Sequence, residues 1–336
     1  MILAVACVIC SLSASSVAQG VTFSVATSDD RMGDRSQYSQ NAAYFTAKGS
    51  AQVVIYRSSP YQQVGSICCL VKTERTIEYF LKSASNADLV LQVAQQRGGK
   101  GPVALSIYSL EGKLISSATF NPGTSLFLIA LDRSRKFLAL TDGSTINVYD
   151  SSLAPVRSQK LAGSLTKPKE LLLSTGGTGA LLIGEDALLV ADFDSRKEAL
   201  IQTCGAPGDY AFAAAPAEAI ANSYVVLTAS GEGCRVDGMS GRRFQAKARN
   251  ELRGMYFTSD LLFVITMESV EALNTMSLST QSVFELIPFY EGKFGRNANE
   301  EPFFVQHEFD ASAARLYLRG SVSTGTFFEI SVHRSR

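Results

Sequence analysis

The chain has 336 residues, of which 46% are hydrophobic and 18% charged, so its composition is that of an ordinary globular protein and excludes overall disorder. Thirty-one basic residues balance thirty-one acidic ones, which excludes a global field that would attract a polyanion such as DNA. The length alone would permit two domains. Periodicity therefore has to decide the architecture.

The first 18 residues allow two interpretations. The apolar run from Ile2 to Cys10 is followed by small residues ending at Ala18, which is the pattern of a cleavable secretory signal. The run is too short for a membrane span, and no Lys or Arg precedes it. The alternative is a buried strand that closes the fold. Cleavage after Ala18 predicts a secreted or periplasmic protein of residues 19–336, and retention predicts a cytoplasmic one.

An internal repeat dominates the rest of the chain. Each copy has an apolar strand, a polar turn, a second apolar strand, another turn and a third strand. The seven copies cover residues 43–67, 88–120, 136–161, 179–204, 223–248, 260–286 and 314–336. They start 37 to 54 residues apart, which brackets the roughly 40 to 50 residues of a four-stranded propeller blade. The composition excludes a helical solenoid, because β-branched and aromatic residues alternate with polar ones.

Short apolar segments before most copies predict an innermost strand for each blade. They cover residues 77–81, 126–131, 170–174, 210–214 and 303–309. The seventh copy ends at Arg336 without an outer strand, and Val21–Ala26 is available to pair there. The sequence therefore predicts one all-β domain, a seven-bladed β-propeller closed by an N-terminal strand. Residues 29–41 are interpreted as the connector into the first blade.

The cysteines leave the redox compartment open. Cys68 and Cys69 are neighbours, so we expect their side chains to point to opposite faces of a strand and not to pair with each other. Cys204 and Cys234 lie in consecutive copies. They would pair if their strands are adjacent, and otherwise they are small buried hydrophobes, which is the interpretation we favour.

No pattern typical of catalysis stands out. His307 and His333 are the only histidines, which limits any Ser-His-Asp or Cys-His site to one of them. Neither they nor the cysteines have the spacing of metal ligands. We predict no catalytic residues, no metal, no cofactor and no enzymatic activity.

Two segments carry candidate interaction residues. The insertion at residues 288–302 is longer than a turn and contains Phe289, Tyr290, Phe294 and Arg296, residue types favoured at interface hot spots. The glycine-rich segment at 97–102 lacks the spacing of a phosphate-binding loop and is interpreted as a hairpin tip. Its two basic residues, Arg97 and Lys100, could touch RNA or an acidic protein surface.

The repeat resembles that of degenerate WD-repeat propellers, with Tyr149-Asp150 and Phe193-Asp194 at the ends of strands, although the chain contains no Trp. The order of units in residues 43–195 is similar to the propellers of eukaryotic initiation factor 2A and of subunit b of eukaryotic initiation factor 3. That resemblance implies binding to the small ribosomal subunit or to initiation-complex components, without catalysis. Residues 327–336 of this sequence do not have the basic helical tail of the 2A family.

Two functional hypotheses follow. The first is a monomeric, non-enzymatic intracellular scaffold that binds a protein partner, with a ribosome or RNA reached through the partner complex. It predicts an uncleaved N-terminus and reduced cysteines. The second is a secreted or periplasmic propeller that binds a ligand, or a propeller enzyme. Neither requires a membrane span or binding to DNA.

Overall fold

A computed structural model describes residues 21–29, 37–41, 43–49, 51–58, 62–69, 74–96, 101–123, 127–163, 165–202, 211–216, 218, 220, 222–249, 252–258, 260–266, 268–275, 277–286, 304–310, 315–320 and 326–334. Every named element in these ranges is a β-strand. The prediction of an all-β chain is therefore confirmed.

The strands form four-stranded antiparallel sheets, which we number by chain order. Sheet 1 contains β2 (Gln37–Tyr38), β3 (Tyr44–Lys48), β4 (Gln52–Arg57) and β5 (Gln62–Cys68). Sheet 2 contains β6 (Glu74–Lys82), β7 (Asp88–Gln96), β8 (Val103–Tyr108) and β9 (Leu114–Phe120). Sheet 3 contains β10 (Leu128–Leu131), β11 (Phe137–Thr141), β12 (Thr145–Asp150) and β13 (Pro155–Lys160).

The next three sheets repeat this arrangement. Sheet 4 contains β14 (Glu170–Leu173), β15 (Gly179–Ile183), β16 (Ala187–Asp192) and β17 (Lys197–Gln202). Sheet 5 contains β18 (Ala211–Ala214), β19 (Ser223–Thr228), β20 (Glu232–Asp237) and β21 (Ser240–Gln245). Sheet 6 contains β22 (Leu252–Phe257), β23 (Leu261–Thr266), β24 (Ser269–Asn274) and β25 (Thr280–Glu285). In all six, the strands follow one another in chain order.

The last group of strands combines residues from the beginning and the end of the sequence. It joins β26 (Phe304–Asp310), β27 (Arg315–Gly320) and β28 (Thr326–Arg334) to β1 (Val21–Asp29) in the order β1-β28-β27-β26. The two ends of the chain meet in it, because Val21 pairs with Arg334 and Asp29 with Thr326. Repeated four-stranded antiparallel sheets of this kind are consistent with a propeller-like fold.

Consecutive sheets pack face to face, and the second strand of each sheet shows how. Leu138 and Leu140 of β11 pack against sheet 2, whereas Ala139 between them packs against sheet 4. In β19, Tyr224 faces sheet 4 and Val225 faces sheet 6. Successive side chains of a strand point to opposite faces, so a strand between two sheets needs apolar residues at every position. This requirement explains the unbroken apolar runs of the repeat.

A recurring hydrogen bond shapes the turn between the first and second strands of a sheet. A Ser, Thr or Asp side chain that follows the first strand accepts a backbone N–H from the start of the second. The acceptors are Ser39, Ser83, Asp132, Ser174 and Thr258. The repeat seen in the sequence is thus a repeat of specific polar contacts as well as of apolar strands.

A second recurring feature is a β-bulge at the start of the fourth strand. The register of the third and fourth strands shifts there by one residue, leaving Val64, Ile115, Val156 and Gln281 unpaired in sheets 1, 2, 3 and 6. A bulge re-aims a side chain. Ile115 and Val156 are accordingly 53% and 41% exposed.

Sheets 5 and 6 are also joined by a buried ion pair. Arg249, which follows sheet 5, donates from Nη2 to Glu271 Oε2 of β24 at 2.9 Å and from Nη1 to the Lys247 carbonyl at 2.7 Å. Both charged residues are nearly inaccessible to solvent. A buried carboxylate is tolerated when a hydrogen-bonded cation compensates its desolvation, so the pair fixes the contact between these sheets.

Two details of the predicted strand layout were wrong or incomplete. The segment 29–41, interpreted as a connector, contains the short strand β2. The first strand of sheet 6, β22, lies outside every predicted segment. The other first strands agree with the prediction to within a few residues.

Candidate functional site

The first strands of the sheets lie closest to one another. Contacts join β2 to β6, β10 to β14 and β18 to β22. We call the turns that follow these first strands, taken together, the inner-turn face. Turns and loops on a rigid scaffold often carry binding residues.

Arg133 connects distant parts of the inner-turn face. It lies in the turn after β10, and its Nη2 donates a hydrogen bond to the Met255 carbonyl of β22 at 3.3 Å. Its guanidinium also lies over the Tyr256 ring, 4.6 Å from the centroid. Gln40 of sheet 1 donates from Nε2 to the Arg133 carbonyl at 3.1 Å. One residue of sheet 3 therefore contacts sheets 1 and 6.

The turn that carries Arg133 is held by Asp132. The Asp132 carboxylate is buried and accepts backbone N–H groups from Lys136 and Phe137, both at 2.9 Å. Its second oxygen accepts the Gly176 N–H of sheet 4 at 3.1 Å. Backbone donors satisfy a buried carboxylate without a counter-ion, so Asp132 positions the neighbouring arginine.

Glu170, the first residue of β14, is the most strongly perturbed carboxyl group near Arg133. Burial raises the pKa of Glu170 from its usual 4.5 to about 7, and the positive charge of Arg133 offsets part of that increase. No described residue donates a hydrogen bond to the Glu170 carboxyl group. The first strands thus carry one acid that changes its charge near neutral pH.

We expect Glu170 to make stability pH-dependent. Because its folded-state pKa is raised, the folded protein holds this proton more tightly than the unfolded chain, and stability falls as pH rises from about 4.5 to about 7. Glu170→Gln should remove on the order of 2 kcal/mol of this loss. Urea unfolding at pH 5 and pH 8 measures it, with Glu285→Gln, at an exposed position of β25, as the control. Equal pH dependence in the wild type and Glu170→Gln would contradict the assignment.

A second polar cluster lies between sheets 1 and 2. Lys48 Nζ donates to the Thr76 carbonyl at 2.7 Å and also to the Thr76 hydroxyl. The same Nζ lies 3.9 Å from Glu78 Oε1, a buried oxygen without a hydrogen bond. The pair neutralises a buried carboxylate and joins the two sheets, which is a structural role.

The outer edge of sheet 2 differs from those of its neighbours. No described residue pairs with the free side of β9, and its residues Leu114 and Ile115 are 52% and 53% exposed. β9 contains no charged residue, no Pro and no Gly over Leu114–Phe120. Unpaired N–H and C=O groups on an uncharged edge are a template for another strand.

The outer strands of sheets 1, 3, 4, 5 and 6 carry features that oppose strand addition. Charges, Pro and Gly are the usual protective residues on edges. The protective residues in these strands are Gly65 in β5, Pro155, Arg157 and Lys160 in β13, Lys197 and Glu198 in β17, Gly241, Arg242 and Arg243 in β21, and Glu285 in β25. Among the outer strands of sheets 1 to 6, β9 alone offers an unprotected edge.

The six predicted interaction residues lie outside the described residues. They are Phe289, Tyr290, Phe294, Arg296, Arg97 and Lys100. The roles assigned to them remain predictions. The two interpretations of residues 1–18 also fall outside the described part of the chain.

The cysteine expectations were wrong for three residues. Cys68 and Cys69 form a disulfide with each other. Strand alternation does not keep them apart, because β5 ends at Cys68 and Cys69 has a φ of 73°, outside the extended region. Cys234 is also disulfide-bonded and is not the free buried thiol that we favoured. Its partner lies outside the described residues.

Sequence reasoning missed Arg133, Glu170 and the β9 edge. The turn at 132–136 has the Asp-x-Ser pattern of a side-chain-stabilised turn, but nothing local indicates which distant carbonyl Arg133 reaches. The β9 edge had a readable signal, since LISSATF is the outer strand of its copy and lacks charge. Within the described residues, no group of His, Cys, Asp and Glu could hold a metal ion, and no helix could cross a membrane.

Comparison with protein-family models and with curated proteins finds no match to this chain. The WD-repeat and initiation-factor resemblances therefore gain no support from these comparisons. The all-β fold rests on the strands and their pairing, and the functional argument rests on the described surfaces.

Proposed function

We propose that this chain is a seven-bladed, WD-repeat-like β-propeller that serves as a non-enzymatic scaffold and binds an extended segment of a partner protein along β9. The sheets supply the rigid framework. Their consecutive face-to-face packing from sheet 1 to sheet 6, together with the pairing of β1 with β28, supports a ring in which the N-terminal strand completes the last blade.

The observation that carries the binding proposal is the unprotected edge of β9. Strand addition obtains its affinity from main-chain hydrogen bonds and its specificity from side chains on the two faces. On β9 the exposed face offers Ile115, Ser117 and Thr119, all uncharged. An uncharged, extended partner segment with apolar and hydroxyl side chains matches this edge, whereas a charged segment would lose hydration without gaining an ion pair.

The disulfides favour an oxidising compartment for this scaffold. Disulfides persist in secreted and periplasmic proteins and are rare in the cytosol, where thiols are kept reduced. The bond between Cys68 and Cys69 is exposed to solvent, so a reducing cytosol would have access to it. This favours the secreted or periplasmic alternative over an initiation-factor role. The partner is then a protein of the same compartment.

A single lysine on β9 tests the proposal. Ile115→Lys places a charge on an exposed position of the edge, so it should leave folding intact and weaken partner capture at least about tenfold. Leu200→Lys is the matched control, because Leu200 is 62% exposed on β17, an edge that already carries charges. Capture is measured by quantitative mass spectrometry of proteins bound to the purified chain.

Amide hydrogen exchange of the complex supplies the second readout. Addition of a strand should slow exchange in residues 114–120 relative to the free protein, since free edge amides become hydrogen-bonded. Slowed exchange elsewhere, together with equal capture by Ile115→Lys and the wild type, would overturn the assignment to β9.

A further inference from the structure

Cys68 and Cys69 lie at an accessible position of the fold. Cys68 is the last residue of β5, the outer strand of sheet 1, and Cys69 follows it directly. Both residues are exposed. The Cys69 N–H donates to the Ala51 carbonyl at 3.1 Å, so the backbone of the pair is held against the start of β4. A thiolate in solution can reach this disulfide without any opening of the sheet.

The second disulfide-bonded cysteine offers the opposite environment. Cys234 lies on β20 within the core between sheets 4 and 5 and is only 1% exposed. A thiolate or an alkylating reagent reaches the Cys234 sulfur only after local unfolding, because that sulfur is buried. The two sites therefore differ in access to reductants although they belong to one molecule.

The backbone at Cys69 also favours opening of its disulfide. Its φ of 73° is in the left-handed region, which non-glycine residues adopt at a cost of roughly 1 kcal/mol or more. The closed disulfide holds Cys69 in the left-handed region. Once the disulfide is opened, the backbone of Cys69 can return to the extended region. Burial does not stabilise the closed form either, since both side chains face solvent.

We propose that Cys68–Cys69 is a redox-exchange site that reacts reversibly with dithiols. In the first step a dithiol thiolate attacks the Sγ of one cysteine, the S–S bond breaks, and the other cysteine leaves as a thiolate that takes up a proton. In the second step the other thiol of the reductant attacks the mixed disulfide. The products are two protein thiols and the oxidised, cyclic reductant. Two electrons and two protons pass to the protein.

Peptide mass spectrometry tests the proposal on the full, folded chain. Trypsin releases residues 58–72 as one peptide that contains both cysteines. Without reductant, this peptide should resist alkylation. With dithiothreitol under native conditions, Cys68 and Cys69 should become alkylated on the order of a hundredfold faster than Cys234. The reduced protein should then bind phenylarsine oxide, a reagent for closely spaced dithiols.

Two variants separate exchange from a structural role. Cys68→Ser/Cys69→Ser should unfold at the same temperature as the wild type and should not bind phenylarsine oxide. Cys69→Ser alone should leave Cys68 able to form a mixed disulfide with glutathione. Alkylation of both cysteines before any reductant is added would overturn the proposal. Reduction of the pair only at the rate of Cys234, or only after unfolding, would overturn it as well.

Discussion

Gly65→Ala should cost about 3 kcal/mol of folding free energy, although it adds a single methyl group. An added Cβ at Gly65 would overlap the Leu110 carbonyl oxygen and lie 2.7 Å from the Glu111 Cα. Both obstacles are backbone atoms of the turn between β8 and β9, which a rotamer change cannot relieve. Overpacking of this kind typically costs 1 to 3 kcal/mol and sometimes more, roughly in proportion to the rigidity of the obstacle.

Gly112 lies on the other side of the same contact. Comparing it with Gly101 separates the cost of steric overlap from the cost of a positive φ. Its φ is +84°, and an added Cβ would overlap the Ser66 carbonyl oxygen, so Gly112→Ala should destabilise at least as much as Gly65→Ala. Gly101 has a φ of +96° but no atom within 4 Å of an added Cβ. Gly101→Ala should therefore cost only about 1 kcal/mol, the conformational part.

Urea unfolding of the three glycine variants measures these differences. The expected order of stability is wild type, Gly101→Ala, Gly65→Ala and then Gly112→Ala. Equal stability of Gly65→Ala and the wild type would mean that sheets 1 and 2 do not approach each other at this point.

The strands were predictable because each is specified locally. In β15 and β19 every residue is buried, and the sequence has unbroken apolar runs there. In β8 and in the first four residues of β12 every second residue is buried, and Val, Leu or Ile stands at each of those buried positions. Turn residues such as Asp150 and Asp192 end the third strands by accepting backbone N–H groups of the following turn. Apolar periodicity and turn chemistry therefore specify most of the sheet boundaries.

Elements that depend on distant contacts were missed. β2 has only two residues, Gln37 and Tyr38, and neither is fully buried, so no apolar run reveals it. The segment that becomes β22 includes Arg253 and Gly254 and a register shift, which interrupt the pattern of a strand. The disulfide of Cys68 with Cys69 depends on the positive φ of Cys69, and strand alternation predicted the opposite.

The candidate site was less predictable than the fold for the same reason. Arg133 contacts Met255 and Gln40, residues more than ninety positions away along the chain, and no local pattern encodes such a contact. The raised pKa of Glu170 comes from its burial, which depends on the packing of neighbouring sheets. The edge of β9 was the exception, since the sequence shows an outer strand of its copy without charge.

A cross-link between β1 and β28 would join residues far apart in the chain and should therefore stabilise the fold strongly. Ser24 and Ser331 are directly opposite in the pairing of β1 with β28, and such residues have Cα atoms close enough for a disulfide. A bond between them would close a loop of nearly the whole chain. In the chain-entropy description this stabilises the folded state by about 5 kcal/mol, because it restricts the unfolded chain.

The pairing of β1 with β28 is tested most directly by oxidising the variant Ser24→Cys/Ser331→Cys. Tryptic mass spectrometry then identifies the bond, and thermal unfolding measures its effect on stability. A ring closed by β1 and β28 predicts a bond between the peptides ending at Arg31 and Arg334, with a higher unfolding temperature. Ser24→Cys/Glu329→Cys, two residues out of register, should form it far more slowly. Equal cross-linking of the two variants, or none in either, would contradict a ring that joins the two ends of the chain.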